Sequence, residues 1–329
     1  MGSARDTQAR PRRLRRAWPF AVVALLGIAA IACEPVENQN GGNGQTTTPS
    51  TWRGKPGKPR RSTTTTTPST PTTKPATPTT PTTPTTRPPA SGPVTSGWWR
   101  PAVGSAWQIQ LSTPVDESFA APIYDIDGES NSAAVVASLH AKGKKVICYI
   151  DVGAAESYRA DVGLIPPSVQ GNAVDGWPQE RWLDVRNIAA LTPVMTARME
   201  MCRSKGFDAV DPDLVEAYAA NSGFPITYED QLTYNRWIAK LAHERGMAVG
   251  LKGNVDQVKD LVNDFDFSVN EQCAEYDECA TVAAFTQAGK PVFHIEYDLP
   301  KSSYCATTTA LRFSSLRKNL DLDAWSDPC

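Results

Sequence analysis

Histidine is scarce in this chain: there are three among 329 residues, His140, His243 and His294. The first two fall in segments of helical periodicity and the third lies within an apolar run, where a satisfied core or rim histidine is expected. A zinc hydrolase needs clustered His and Asp ligands, and a Ser-His-Asp hydrolase needs a His on a loop near its nucleophile; neither constellation is present. No Gly-rich phosphate loop follows any predicted strand, so the signature of a doubly wound nucleotide-binding sheet is missing as well. Basic residues are thin where a core can form. Of 33 basic and 35 acidic residues, 14 and 3 fall within the first hundred, which leaves 19 against 32 and a net charge of −13 beyond. That excess argues against nucleic acid as a partner and suits a cationic ligand. No metal or cofactor is implied.

Residues 34–96 are nearly devoid of apolar side chains. They hold Gly41-Gly42-Asn43-Gly44, a basic patch from Arg53 to Arg61 and a Thr/Pro repeat from Thr63 to Pro89. Such a segment has nothing to bury and is expected to be a disordered, partly polyproline spacer. Before it, Arg10, Arg12, Arg13, Arg15 and Arg16 precede an apolar run from Ala17 to Ala32 and then Cys33. The run is short of the roughly 20 residues a spanning helix needs, so residues 1–33 read as an export signal. Ala30-Ile31-Ala32-Cys33 resembles a lipobox, with Ala30 where Leu is usual. The expectation is an extracellular or surface protein, touching membrane only through a lipid on Cys33 and acting as a monomer, with its folded domain at 97–329.

Within that domain are six further cysteines, an even number that an oxidising compartment turns into disulfides. Cys273 with Cys279 is the best local pair; Cys305 with Cys329 and Cys148 with Cys202 follow by elimination, though the sequence determines the pairing only weakly. Eight candidate strands are legible: Ala106–Gln110, Pro122–Ile126, Lys145–Ile150, Arg181–Val185, Phe207–Asp211, Met247–Leu251, Phe265–Val269 and Pro291–Ile295. Helices are expected at Ser132–Lys142, Ile188–Lys205, Thr227–Arg245, Asp256–Asn263, Tyr276–Ala288 and Thr307–Asn319. Thr227 with Asp230 resembles a capping box, and Gly143, Gly206, Gly246 and Gly289 are placed as left-handed helix stops. Alternation of this kind predicts an α/β fold, a (β/α)8 TIM barrel.

In such a barrel the strand C-termini form the site. They read Asp125 and Asp127; Tyr149, Asp151 and Glu156; Asp184 and Arg186; Asp211, Asp213 and Glu216; Lys252 and Asn254; Asn270 and Glu271; Glu296 and Tyr297. Any one of these acids could be a cap or an ion pair, but acids at nearly every strand end point to two-carboxylate chemistry, as in glycoside hydrolysis. Trp107, Trp177, Tyr218 and Tyr228 offer faces for sugar stacking, or equally for core packing.

Asp211-Pro212-Asp213 before Val215-Glu216-Ala217-Tyr218, Thr227 to Gln231, Tyr234-Asn235, Gly250-Leu251-Lys252 and Val269 to Cys273, with Cys148 to Gly153 and Trp182 to Arg186, together resemble glycoside-hydrolase family 114 over about residues 105–300. The resemblance implies a (β/α)8 endo-α-1,4-polygalactosaminidase acting on a galactosamine-containing polysaccharide. It implies Asp213 as nucleophile, Glu271 as acid/base, and Asp125, Tyr149, Asp151, Asp211, Glu216, Lys252, Asn270 and Glu296 as substrate-binding residues. The sequence departs from the pattern around the first acid, where Glu-Pro-Asp-Asn-Val-Asp is expected and Asp211, Leu214 and Glu216 replace the first, fourth and last residues. Two alternatives remain at this stage: a hydrolase of the same fold for another α-linked glycan, and a surface lipoprotein that binds polysaccharide without cleaving it.

Overall fold

The computed structural model describes residues 97–329. The export signal with its lipobox-like end and the Thr/Pro-rich linker therefore lie outside the described residues. Twelve strands are numbered here in chain order: β1 (Gln108–Gln110), β2 (Ile123–Asp127), β3 (Lys145–Asp151), β4 (Ala154–Glu156), β5 (Gln170–Val174), β6 (Trp177–Leu183), β7 (Ala209–Asp213), β8 (Ala248–Lys252), β9 (Phe267–Glu271), β10 (Val292–Glu296), β11 (Ser314–Lys318) and β12 (Ser326–Pro328). The helices are α1 (Ala133–Ala141), α2 (Ile188–Lys205), α3 (Tyr228–His243), and the short α4 (Val258–Leu261), α5 (Cys279–Val282), α6 (Ala284–Gln287) and α7 (Cys305–Ala310).

Eight of these strands form one parallel sheet in the order β1, β2, β3, β7, β8, β9, β10, β11, with β12 antiparallel at its end. The sheet curls until its ends meet. Trp107 donates its indole N–H to the Ser314 carbonyl at 2.8 Å, and Lys318 donates to Gln108 Oε1 at 3.3 Å, so β1 and β11 stand side by side in a nearly closed barrel.

Strand pleating divides the core in two. Ile109, Ile123, Ile147, Ala209, Ala248, Phe267, Val269, Phe293 and Ile295 fill the barrel interior, each alternating with residues that face outward. Tyr124, Ile126, Val146, Cys148, Ile150, Val210, Val249, Leu251 and Val292 pack outward against Leu191, Met195 and Met199 of α2 and Leu232 and Ile238 of α3. Each such buried side chain contributes roughly 1.5–3 kcal/mol. Gly250 is part of this packing, because a Cβ there would come within 2.4 Å of the Phe267 ring.

Helix α2 runs over the residues expected, Thr227 caps α3 with its reciprocal Asp230 bonds, and all four glycine stops have positive φ. The three disulfides pair as expected: Cys148–Cys202, Cys273–Cys279 and Cys305–Cys329. The first ties β3 to α2, and all three suit an oxidising compartment outside the cytoplasm.

Two strand assignments need correction. Arg181–Val185 is not a barrel strand; Arg181 to Leu183 end β6, which pairs antiparallel with β4 and β5 in a separate three-stranded sheet inserted between β3 and α2. Alternation signals a strand but not the sheet it joins. The eighth barrel strand is instead β11, inside the segment expected to be helical through Asn319. That helix ends at Ala310, Arg312 turns the chain with φ +61°, and Ser315, Leu316 and Lys318 are then buried beside β10.

Candidate active site

The C-terminal ends of β3, β7, β8 and β9 bring together Tyr149, Asp211, Asp213, Lys252 and Glu271, all on inward-facing positions of the pleat. Lys252 is the hub. Its Nζ lies 3.3 Å from Glu271 Oε1, 3.7 Å from Asp213 Oδ1 and 3.5 Å from Asp211 Oδ2, and 5.1 Å from the centre of the Tyr149 ring. Asp213 and Glu271 reach solvent, with side chains 23% and 32% exposed, whereas Lys252 is 7% and Asp211 0% exposed.

Each rim acid is held differently. The Tyr149 hydroxyl donates to Asp213 Oδ2 at 2.7 Å and the Leu214 backbone N–H donates to Oδ1 at 2.9 Å, so both oxygens have a donor. That N–H is aimed by a backbone turn at Leu214, φ +58°, where a side chain is strained. Its neighbour Gly153 makes the turn possible: a Cβ at 153 would stand 1.7 Å from the Leu214 carbonyl oxygen. Glu271 is followed by Gln272, again at positive φ, +63°, and Tyr297, just beyond β10, has a hydroxyl that burial raises and that lies near enough for the Glu271 carboxylate to raise it further.

Charge at this mouth is lopsided. Burial favours the neutral amine of Lys252, but the carboxylates of Asp211, Asp213 and Glu271 outweigh it and hold the side chain as an ammonium. Burial raises Asp211 to about 6 even with Lys252 beside it, and it raises Asp125 well above the usual carboxylate range, with Asp211 adding to the effect.

The remaining expected residues are placed as follows. Glu216 is half-buried beside Gly253, just beyond the cluster. Asp125 is fully buried below Asp211, and Asp151 is turned back to accept from the Gly153 and Ala154 N–H groups. Asn270 alternates with Val269 and Glu271 and so faces the other side of the sheet, fully buried. Glu296 also faces outward, accepting from the Ala274 N–H at 2.8 Å and lying 2.9 Å from His294 Nε2. Asp125, Asp151, Asn270 and Glu296 are thus each at most 2% exposed. Asp184 and Arg186 pair with each other beyond β6, away from the barrel ring. The three histidines are likewise engaged elsewhere: His140 with Asp208, His243 with Asp266, and His294 with Ser315 and Glu296. Although Cys273, Cys279 and His294 come within 4.8 Å of one another, the sulfurs are bonded to each other and offer no thiolate to a metal.

Sequence reasoning missed Tyr158 and Glu180. The Tyr158 hydroxyl sits 2.8 Å from Glu156 and 2.9 Å from Glu180, on the inserted sheet. Burial raises Glu180 to about 7 despite the Tyr158 bond, with Glu156 and Asp213 reinforcing the rise. The pairing depends on β4 lying beside β6, which no local motif announces.

Known proteins place this architecture. The structure of Aspergillus fumigatus Ega3 in complex with galactosamine is 40% identical and superposes with a TM-score of 0.68 over 72% of this chain and 100% of that one. The glycoside hydrolase domain of PelA from Pseudomonas aeruginosa shares the fold, at 14% identity and a TM-score of 0.54 over 68% of this chain and 96% of that one. An uncharacterized protein of Deinococcus radiodurans is 28% identical over 249 residues, 64% of this chain and 78% of that protein. Residues 88–329 match the sequence model of glycoside-hydrolase family GH114. With a barrel mouth that presents two solvent-reachable carboxyls across a buried lysine, the chain belongs to that family and is a glycoside hydrolase.

Proposed function

We propose that the protein is an endo-acting hydrolase of α-1,4-linked galactosamine-containing polysaccharide, with Asp213 as nucleophile and Glu271 as acid/base. The observation that carries this reading is the meeting of Asp213 and Glu271 at one ammonium: two carboxyls that reach solvent, both within 3.7 Å of Lys252 Nζ. Asp213 attacks the anomeric carbon as Glu271 gives its proton to the leaving oxygen; Glu271 then takes a proton from the water that releases the sugar from Asp213. Retention of configuration follows from two displacements. The bonds from Tyr149 and Leu214 orient the Asp213 carboxyl, as a nucleophile requires.

The substrate class is supported by chemistry and by similarity. A polymer of partly deacetylated galactosamine carries ammonium groups, which the net charge of −13 beyond residue 100 would attract, less so at high salt. Its 40%-identical relative was captured with galactosamine. Export through the segment 1–33, with a lipid on Cys33 and the Thr/Pro-rich spacer extending the domain from the membrane, would put the enzyme where such polymers lie. Glu216 and Tyr149 are the polar groups assigned to sugar contact.

Oligosaccharide release from α-1,4-galactosaminogalactan, measured for the full chain beside Asp213→Asn and Glu271→Gln, tests the reading. Release by the parent, with losses of about 10²–10⁴-fold in each folded variant, is expected. A parent that binds the polymer without cutting it would sink the assignment.

A further inference from the structure

Beneath the two rim acids is a feature that catalysis by Asp213 and Glu271 alone leaves unused. Asp125 on β2 and Asp211 on β7 project into the barrel interior, each 0% exposed, and none of their four carboxyl oxygens has a hydrogen-bond partner among the described residues. Four buried acceptors without a donor are costly, and two buried charges side by side more so. The two carboxyls are close enough to hydrogen-bond once one of them carries a proton. Lys252, 3.5 Å from Asp211, lies directly between this floor and the rim.

We propose that Asp125 and Asp211 share one proton and act as a positioning pair, balancing the Lys252 ammonium from below so that it meets the two rim acids as a positioned donor and not as a net charge. The proposal rests on reading Asp213 and Glu271 as the reacting acids. The Asp125 O–H donates to an Asp211 carboxylate oxygen; Asp211 in turn balances the ammonium from below. An unbalanced ammonium 3.3 Å from Glu271 would work against the delivery of a proton from that carboxyl, the task of a general acid. With Asp211 ionised and Asp125 neutral, floor and lysine together are neutral, and Lys252 serves as a positioned donor. The other titratable groups around the unit are Tyr149 and Asp151 from β3, Asp213 from β7, Glu271 from β9 and Tyr297 beyond β10. Burial raises both tyrosines, with the neighbouring carboxylates adding to it, so they stay neutral donors.

The test is the pH profile of the full chain and its variants on α-1,4-galactosaminogalactan. Asp211→Asn leaves Lys252 unbalanced: kcat is expected to fall at least tenfold, KM to change little, and the alkaline limb to move down by about one pH unit or more. Asp125→Asn keeps a donor against Asp211 and should rescue activity that Asp125→Leu loses. An alkaline limb unmoved in Asp211→Asn, or a raised KM at unchanged kcat, would overturn the proposal. A second measurement is independent of substrate and decides if the parent leaves this polymer uncut or if Asp211→Asn does not fold. In infrared difference spectra of parent and Asp125→Asn at neutral pH, loss of a protonated-carboxyl band supports the shared proton; an unchanged band refutes it.

Discussion

Two clusters of four carboxyls lie within this domain, and they are neutralised in opposite ways. Asp213 and Glu271 at the barrel mouth and Asp125 and Asp211 buried beneath them share one cation among the described residues, Lys252. Alongside, Asp127, Glu129, Glu156 and Asp161 share two arginines, each clamping one aspartate with two bonds: Arg159 on Asp127 at 3.1 and 2.6 Å, Arg198 on Asp161 at 2.7 and 2.8 Å. A planar guanidinium fits a carboxylate in one geometry and keeps it ionised, whereas an ammonium is a point charge that several acids can share. The arginine cluster fixes the inserted sheet to α2. The lysine cluster keeps protons available.

Removing the cation should therefore cost different things in the two places. Arg198→Met removes both bonds to Asp161 and the bond from Nη1 to the Asp151 carbonyl, 2.6 Å, leaving a buried carbonyl and a half-buried carboxylate without their donor. A loss of about 3–5 kcal/mol of unfolding free energy is expected, read by denaturant titration. Lys252→Met should be milder for the fold, because Asp125 and Asp211 can both go neutral and bond to one another. Its cost should appear in the rate, about 10²-fold in kcat, the scale for one removed electrostatic donor. Equal stability losses in the two variants would erase the contrast.

Much of this was legible in the sequence. Seven of the eight barrel strands, the span of α2 and the cap of α3 follow from periodicity and capping residues, and the even cysteine count announces disulfides whose pairing it leaves weakly determined. What was not legible depends on contacts distant in sequence. Ser314 to Lys318 is a polar stretch that becomes a strand because β10 and β12 pair with it on either side. Asp125 and Asp211 read as rim acids from their types, yet the pleat places them one layer lower, out of solvent. Asn270 and Glu296 lie on the outward phase of their strands, a placement that depends on register, since a strand-end side chain faces the mouth only on the inward phase of the alternation.

Glu180 lies on the boundary between the clusters, and its titration sharpens the contrast. Burial raises its folded value to about 7, above the 4.5 of an ordinary glutamate in the unfolded chain. Between those values the folded state holds more protons than the unfolded, so this residue's contribution to stability is present below about 4.5 and is lost as pH rises through about 7. Glu180→Gln should remove that part of the decline, so the stability difference between variant and parent should grow in the variant's favour from pH 5 to pH 7. A constant difference across that range would group Glu180 with the arginine-clamped Asp127 and Asp161, which are held below the usual carboxylate range.

The smallest expected effect concerns Leu214, where the sequence departs from the Asn of the family pattern. Its φ of +58° suits Asn better than Leu, but the side chain also packs against the outer core, so strain relief and lost burial oppose each other. The bond that orients Asp213 comes from the backbone N–H, which any residue but proline supplies. Leu214→Asn should accordingly leave kcat within about threefold and change stability by no more than about 1 kcal/mol, the two opposing terms being of that size. A large change in KM alone would instead mean that residue 214 touches the sugar, and would shift the specificity of this mouth from its charged groups to the side chain beside its nucleophile.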